Sequence, residues 1–399
     1  MPEPPEPTRA PEGLRLGYCT NVHPYADLEG LLAALEGAAA PLRDRLVAAG
    51  ELDDGAPLGV GLWFPEAVAH AVVADPAPLR AALERLRLDA FTVNAFPQGA
   101  FHGDVVKEAV FRPTWAEAAR LDYTLTAARA LATLLPAGGT GSLSTHTGGT
   151  KAMGLSPGVV AAGLVAAAEG LARLEDETGR RLLLALEPEP LSFLETTEEV
   201  CAFFTEHLHP AGEAARRHLA LCYDACHQAV EFEDMAASVG RLAEAEVPVA
   251  KVQLSSAIRV PAPAAAVERL RPFAEDRWFH QVVSRAEGGA LTRWTDLPVA
   301  LDDAAALAAA EWRVHYHVPL FAERLDDGPD GLLTTRPQLE ELLAEVTSRD
   351  ATRHFEIETY TWEALPAARR EALGLRDVVD CLEQEFRWVL PRLTPPAAD

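Results

Sequence analysis

Three short apolar runs in this chain end in acid or imidazole: 182–190 (LLLALEPEP), 219–227 (LALCYDACH) and 354–362 (HFEIETYTW). A carboxylate taken out of water without a partner costs several kcal/mol. Three such endings in one chain therefore imply charges that converge on a shared counter-charge, and a divalent cation is the simplest one.

Glu187 closes its run directly before Pro188, and Glu189 shares its strand face by alternation. The plainer alternative is a strand-end acid that is solvated or paired with Arg. Asp224 and His227 form a D-x-x-H arrangement around the end of LALCYD, close enough in sequence to reach one ion. Asp224 would equally serve as the cap of the helix that follows. In RVHYHV, His315 and His317 fall on one face by period two, with Val314, Tyr316 and Val318 opposite. His280, in WFHQVV, is a further candidate ligand.

Glu356 and Glu358 also alternate onto one face, where two buried acids would repel. Glu358, nearer the strand end, is assigned to the ion, and the deeper Glu356 then requires a proton or a basic partner. Gln253 offers a neutral oxygen in AKVQLSSA, and Lys251 shares its face. The expected ligand set is thus Glu187, Asp224, His227, Gln253, His280, His317 and Glu358, for a divalent cation. Glu187 and Glu358 double as the proton-handling pair. Expected at a substrate are Asn94, His102 and Lys107 in the long stretch 94–115, His146 in SLSTHTGGTK, Lys251 and His315. The stretch 94–115 reads as a substrate lid or as a surface excursion. GGTK lacks the spacing of a phosphate-binding loop, and neither a GxSxG elbow nor a Ser/His/Asp order appears, which disfavours nucleophilic hydrolysis.

The elements that must position these residues alternate strictly. β-type runs at 16–20, 58–64, 90–96, 141–146, 182–187, 219–224, 249–254 and 354–359 are separated by Ala/Leu/Glu-rich stretches of helical period. Such alternation demands parallel strands with helical crossovers, and eight of them fit a (β/α)8 barrel. A doubly wound open sheet is the competitor, but no GxGxxG turn follows the first strand. The interval 256–350 exceeds what one βα unit needs. It carries a hairpin signal around Ala286–Gly289 and a further β-type run at 313–318, so it reads as an insertion between strands seven and eight. A single barrel domain over 14–394 is expected, after a Pro/Glu-rich disordered lead-in at 1–13 that lacks a signal peptide's apolar segment.

A net charge of -25 with a pI near 4.9 opposes duplex binding, which relies on Lys and Arg at phosphates. The apolar content of 49% supplies a large core. Five cysteines without a CxxC pair indicate a reducing, cytoplasmic setting. No apolar run is read as membrane-spanning; 159–168 is too short, so no direct membrane insertion is expected.

The ordered set Glu187, Asp224-x-x-His227, Gln253 and Glu358 resembles the xylose-isomerase-like TIM-barrel superfamily, which includes sugar isomerases, epimerases and the endonuclease IV branch. The resemblance implies a divalent-metal site for Mn, Zn, Mg or Co, with Gln253 standing where that group usually has His. LGYCTNVHP (16–24), the stretch 96–115, STHTGGTK (144–151), LEPEP, CYDACH, WFHQVV, VHYHVP and EIETYTWEALP (356–366) are similar to the EboE family, the "metabolite traffic" barrel of ebo gene clusters. That resemblance implies a role with a small hydroxylated precursor of a secondary metabolite, alongside other ebo-cluster proteins. Catalysis by a metal-dependent isomerase or epimerase, non-catalytic metabolite carriage and, last, endonuclease IV-like phosphodiester cleavage are the functions it leaves in play.

Overall fold

Parallel strands clad by helices are largely apolar on both faces, as the run 58–63 (LGVGLW) is, whereas 140–146 (TGSLSTH) carries polar residues. The computed structural model describes residues 13–99, 101–103, 106–326 and 331–393; the expected lead-in lies outside the described residues apart from Gly13. Its strands are β1 (Arg15–Cys19), β2 (Leu58–Trp63), β3 (Leu88–Asn94), β4 (Thr140–His146), β5 (Arg181–Glu187), β6 (Leu219–Asp224), β7 (Val249–Leu254), β8 (Ile258–Val260), β9 (Val282–Arg285), β10 (Leu291–Trp294), β11 (Glu311–Val314), β12 (Leu333–Thr334) and β13 (His354–Ile357). β2 and β6 are buried along their whole length. Eight strands close into a parallel barrel in the order β1-β13-β7-β6-β5-β4-β3-β2. The open-sheet alternative is thereby excluded, and β13 is the eighth barrel strand.

Between β7 and β13 the chain builds an antiparallel sheet in the order β10-β9-β11-β8-β12. It has a core cluster of its own, including Ile258, Phe273, Trp312, Val314 and Tyr316. The expected run at 313–318 is a strand only to Val314; beyond that the chain leaves the sheet. The helix Pro157–Thr178, which crosses from β4 to β5, is long and apolar enough to span a membrane by length and composition. The run 159–168, too short by itself to span, is part of this longer apolar helix. Here its Val160, Leu164, Ala168 and Leu171 are buried in the main core cluster.

Polar residues occupy part of the barrel interior. Lys251 of β7 and Glu356 of β13 are fully buried and ion-paired, which supplies the basic partner that the deeper acid required. A Cβ at Gly61 of β2 would land on the Glu356 carboxylate, so glycine there is what makes room for the pair. Lys251, expected at the substrate, is thus a barrel-interior residue held by Glu356.

Removing one partner of a buried pair strands the other charge, at a cost of about 3–5 kcal/mol. Lys251→Met is expected to lose about that much in denaturant unfolding, and Lys251→Met/Glu356→Leu to regain most of it. A single variant as stable as the parent would show that the pair is not what holds the interior together.

Candidate metal centre

Beyond β11 the segment 315–318 crosses the C-terminal mouth of the barrel. It is pinned there by His315 N–H to Gln281 O (2.9 Å) and Val318 N–H to Ser256 O (2.9 Å). The Thr361 hydroxyl donates to His317 O (2.6 Å). His227 comes from the other side, in the short helix Ala225–Val230 that follows β6. Each of the three imidazoles has its Nδ1 against an oxygen that can only accept: Pro188 O for His227 (3.0 Å), Gln281 Oε1 for His315 (2.6 Å) and Glu358 O for His317 (2.6 Å). The proton of each neutral ring therefore sits on Nδ1, and Nε2 carries the lone pair.

Those three lone pairs meet. His315 Nε2 lies 3.1 Å from His227 Nε2 and 3.2 Å from His317 Nε2. Burial lowers the proton affinity of all three rings, His315 far below the ordinary range and His317 to about 4. No proton is thus available to bridge them near neutral pH. Nitrogens at about 2.0–2.1 Å from a tetrahedral zinc stand about 3.4 Å apart, close to the spacing found.

A carboxylate group adjoins the triad. Donor oxygens of Glu187, Asp224 and Glu358 lie within 4.8 Å of one another, and Asp224 also groups with His227 and His317 on the same criterion. Asp224 Oδ1 accepts from His227 N–H (2.9 Å) and from the Ser255 hydroxyl (2.8 Å). The capping role and the ligand role therefore coexist: Oδ1 caps the helix, while Oδ2, like Glu187 Oε2, is buried without a protein partner. Glu358 Oε1 accepts from the amides of Asn21 (2.7 Å) and Asn94 (3.0 Å). Burial first, and the neighbouring Asp224 second, raises Glu187 to about 8. Burial and then Glu187 raise Glu358 well above the carboxylate range. Orphaned buried oxygens beside converging lone pairs are what a divalent ion would satisfy, so the residues fit one.

The remaining candidates are placed as follows. Asn94 lines the pocket above the centre and holds Glu358. Lys107 also lines it and is paired with Asp296 (2.7 Å). His315, expected at the substrate, lines the same pocket and is also the middle member of the imidazole triad. Gln253 is buried in register with Asp224 and Glu356, and neither atom of its amide has a partner. His280 is not brought to the cluster: its Nδ1 meets His315 O (3.0 Å) and its Nε2 meets Glu275 (2.8 Å). His102 is spent on Asn21 O (2.6 Å), and His146 packs between Phe96 and Phe111 with Nε2 on Pro113 O (3.2 Å).

Three contributors escaped the sequence reading. Asn21 follows the end of β1, where a polar residue at a strand end was the available signal. Gln281 gives its Oε1 to His315 and its Nε2 to Glu189 Oε1 (2.9 Å), so a carboxylate fixes the amide and the amide fixes the ring. Cys226, inside DACH, groups with His315 and His317. Phe101, Phe111, Trp278, Phe279 and Tyr360 form the apolar wall above.

Protein purified without added metal is expected to carry a stoichiometric transition ion by elemental analysis, and chelated protein to gain Tm on zinc addition; His315→Ala should abolish the gain. An unchanged Tm together with no bound metal would remove the centre. Gln281→Ala should weaken zinc binding about 10–100-fold, as loss of a ring-orienting partner does. A pH dependence also follows. Glu187 holds its proton up to about 8 when folded but ionises near its ordinary 4.5 when unfolded, so the unfolded chain binds fewer protons in between. Through this group the metal-free chain loses stability as pH rises from about 4.5 to about 8. The histidines whose proton affinity burial lowers act in the opposite direction below about 6.5, so the net fall lies between about 6.5 and about 8. Glu231 and Glu385, each raised to about 7, act in the same direction as Glu187. Melting curves across that window should slope downward, and Glu187→Gln should flatten part of the slope.

No family model matches the sequence, and no curated protein matches it. Similar solved structures include the IOLI protein with a binding zinc atom, at 10% identity and TM-score 0.45, covering 96% of this chain and 100% of that one. A D-tagatose 3-epimerase-like protein is 11% identical, TM-score 0.45, covering 94% and 100%. An AP endonuclease of family 2 from Brucella melitensis is 17% identical, TM-score 0.35, covering 60% and 78%.

Proposed function

We propose that this barrel is a divalent-metal-dependent enzyme that moves a proton at a carbon beside a carbonyl of a small hydroxylated metabolite, as a sugar isomerase or epimerase of the xylose-isomerase-like group does. The observation that carries this reading is the convergence of three Nε2 lone pairs next to two acids of raised proton affinity. Bound there, an ion would supply Lewis-acid polarisation of the substrate's oxygens. The nitrogen-rich triad favours zinc or cobalt over magnesium.

The chain's own residues divide the remaining work. Glu187, raised to about 8, is poised to take and return a proton near neutral pH. Glu358 has one oxygen held by Asn21 and Asn94, which fixes the direction its free oxygen faces. The aromatic wall keeps bulk water from the reacting carbon. Lys107 is a cation on that wall and can trade Asp296 for an anionic substituent on the substrate. The motifs shared with the EboE family support a setting in secondary metabolism, with other ebo-cluster proteins as partners.

Carriage without catalysis is the second reading, and the largely apolar wall and the amide of Gln253 at the seventh strand favour it. Phosphodiester cleavage ranks last, because a net charge of -25 repels a duplex.

Glu358→Gln is expected to reduce turnover of keto- and aldo-sugars or polyols about 10²–10⁴-fold, the usual worth of a positioned acid–base group, with Tm and metal content retained. Undiminished turnover in that variant would refute the catalytic role. Retention of a co-purifying metabolite by the parent protein, with no turnover across the panel, would establish the carrier.

A further inference from the structure

We infer that Cys226 is a ligand of the three-histidine centre, so that this chain sets a nitrogen–sulfur ion site directly beside an all-oxygen one. The inference rests on the metal reading above and specifies the donor set of that same site.

Cys226 lies between Asp224 and His227 in the first turn of Ala225–Val230. Its sulfur and donor atoms of His315 and His317 lie within 4.8 Å of one another. The other side of the side chain is apolar, against Val230, Ala257 and Val283. Helix position is fixed independently, by Cys226 N–H to the Ser255 hydroxyl (2.8 Å), with Ser255 in turn bonded to Asp224.

Packing alone accounts for a buried cysteine in many folds, and Cys222 shows what that looks like here: it sits among Ala185, Ala220 and Ala250. Cys226 differs in having donor nitrogens of two imidazoles within 4.8 Å of its sulfur. Among the described residues it is the cysteine that joins a candidate ligand group. Zinc–sulfur bonds are about 2.3 Å and zinc–nitrogen bonds about 2.0–2.1 Å, so the thiol must close on the histidines as the ion arrives. In that step the S–H bond breaks, the sulfur's electron pair forms the metal–sulfur bond, and the proton leaves to solvent. Soft sulfur and imidazole select zinc or cobalt, whereas Glu187, Asp224 and Glu358 present only hard oxygen.

The test uses the full chain, stripped of metal and given cobalt(II) alone. A sulfur-to-cobalt charge-transfer band in the near ultraviolet is expected at one equivalent. It should be lost in Cys226→Ser, which should still bind cobalt, and kept in Cys222→Ser. Zinc K-edge absorption of the parent protein at one equivalent needs no variant, and is expected to show one sulfur with the imidazoles. Cobalt bound without the band, a band that survives Cys226→Ser, or a zinc shell lacking sulfur overturns the inference and leaves the metal reading standing. Failure to bind cobalt or zinc at all overturns both.

Discussion

The site depends on a conflict among lone pairs. His227, His315 and His317 each turn the protonated side of the ring to an oxygen that can only accept, which leaves three Nε2 lone pairs facing each other across 3.1 and 3.2 Å. Such an arrangement is repulsive in a bare chain, and an isolated ring would simply turn away. It persists because the orienting oxygens belong to three separate parts of the fold: Pro188 after β5, Gln281 before β9, and Glu358 after β13. Rotating any one ring would orphan a buried acceptor as well as the N–H, a penalty of about 1–3 kcal/mol for each such group. The surroundings therefore hold the rings in a geometry that they would not adopt by themselves, and a cation removes the reason for them to resist it.

The second sheet is what makes this possible. Two of the three histidines follow directly on its strand β11, so its attachment to the barrel must be as firm as the barrel itself. Glu311 gathers Arg259, Arg285 and Arg313 within the sheet. Arg313 then reaches out of the sheet to Ala229 O (2.6 Å), on the helix that carries His227. One guanidinium thus ties the platform holding His315 and His317 to the element holding their partner. Arg suits the task because its planar fork serves both directions at once and stays charged when buried.

The barrel and its acids were legible in the sequence because a buried strand announces itself by composition, and a strand end that breaks into acid is an exception to that composition. Glu187, Asp224 and Glu358 are exceptions of this kind, and they converge. Histidine was harder to read. His146 and His280 carry no local mark that separates them from His227, since what decides the role is whether a ring's second nitrogen has a partner. For His280 that partner is Glu275, five residues away, and for His146 packing against Phe96 and Phe111 settles the ring. The same-face spacing of His315 and His317 held even though the strand expected to produce it ends at Val314, because an extended chain alternates with or without a sheet neighbour. Gln281 was invisible for a different reason: its importance lies in joining Glu189 to His315, and neither contact is local in sequence.

Asp224 belongs to both donor groups, so the two cannot titrate independently. Its Oδ1 stands 3.9 Å from His227 Nε2, and His227 Nδ1 stands 4.0 Å from Glu187. Two unit charges about 4 Å apart are worth about 4 kcal/mol at an effective dielectric of 20, and about 1.4 kcal/mol equals one pKa unit. Positive charge among the imidazoles would therefore draw Glu187 and Glu358 back toward the ionised form that burial and mutual repulsion deny them. A cation held by the histidine centre would thus act on these two acids against the burial that raises them. An enzyme that needs a base at one stage and an acid at the next can be tuned through that coupling, whereas a carrier has no use for acids held so far from their ordinary range.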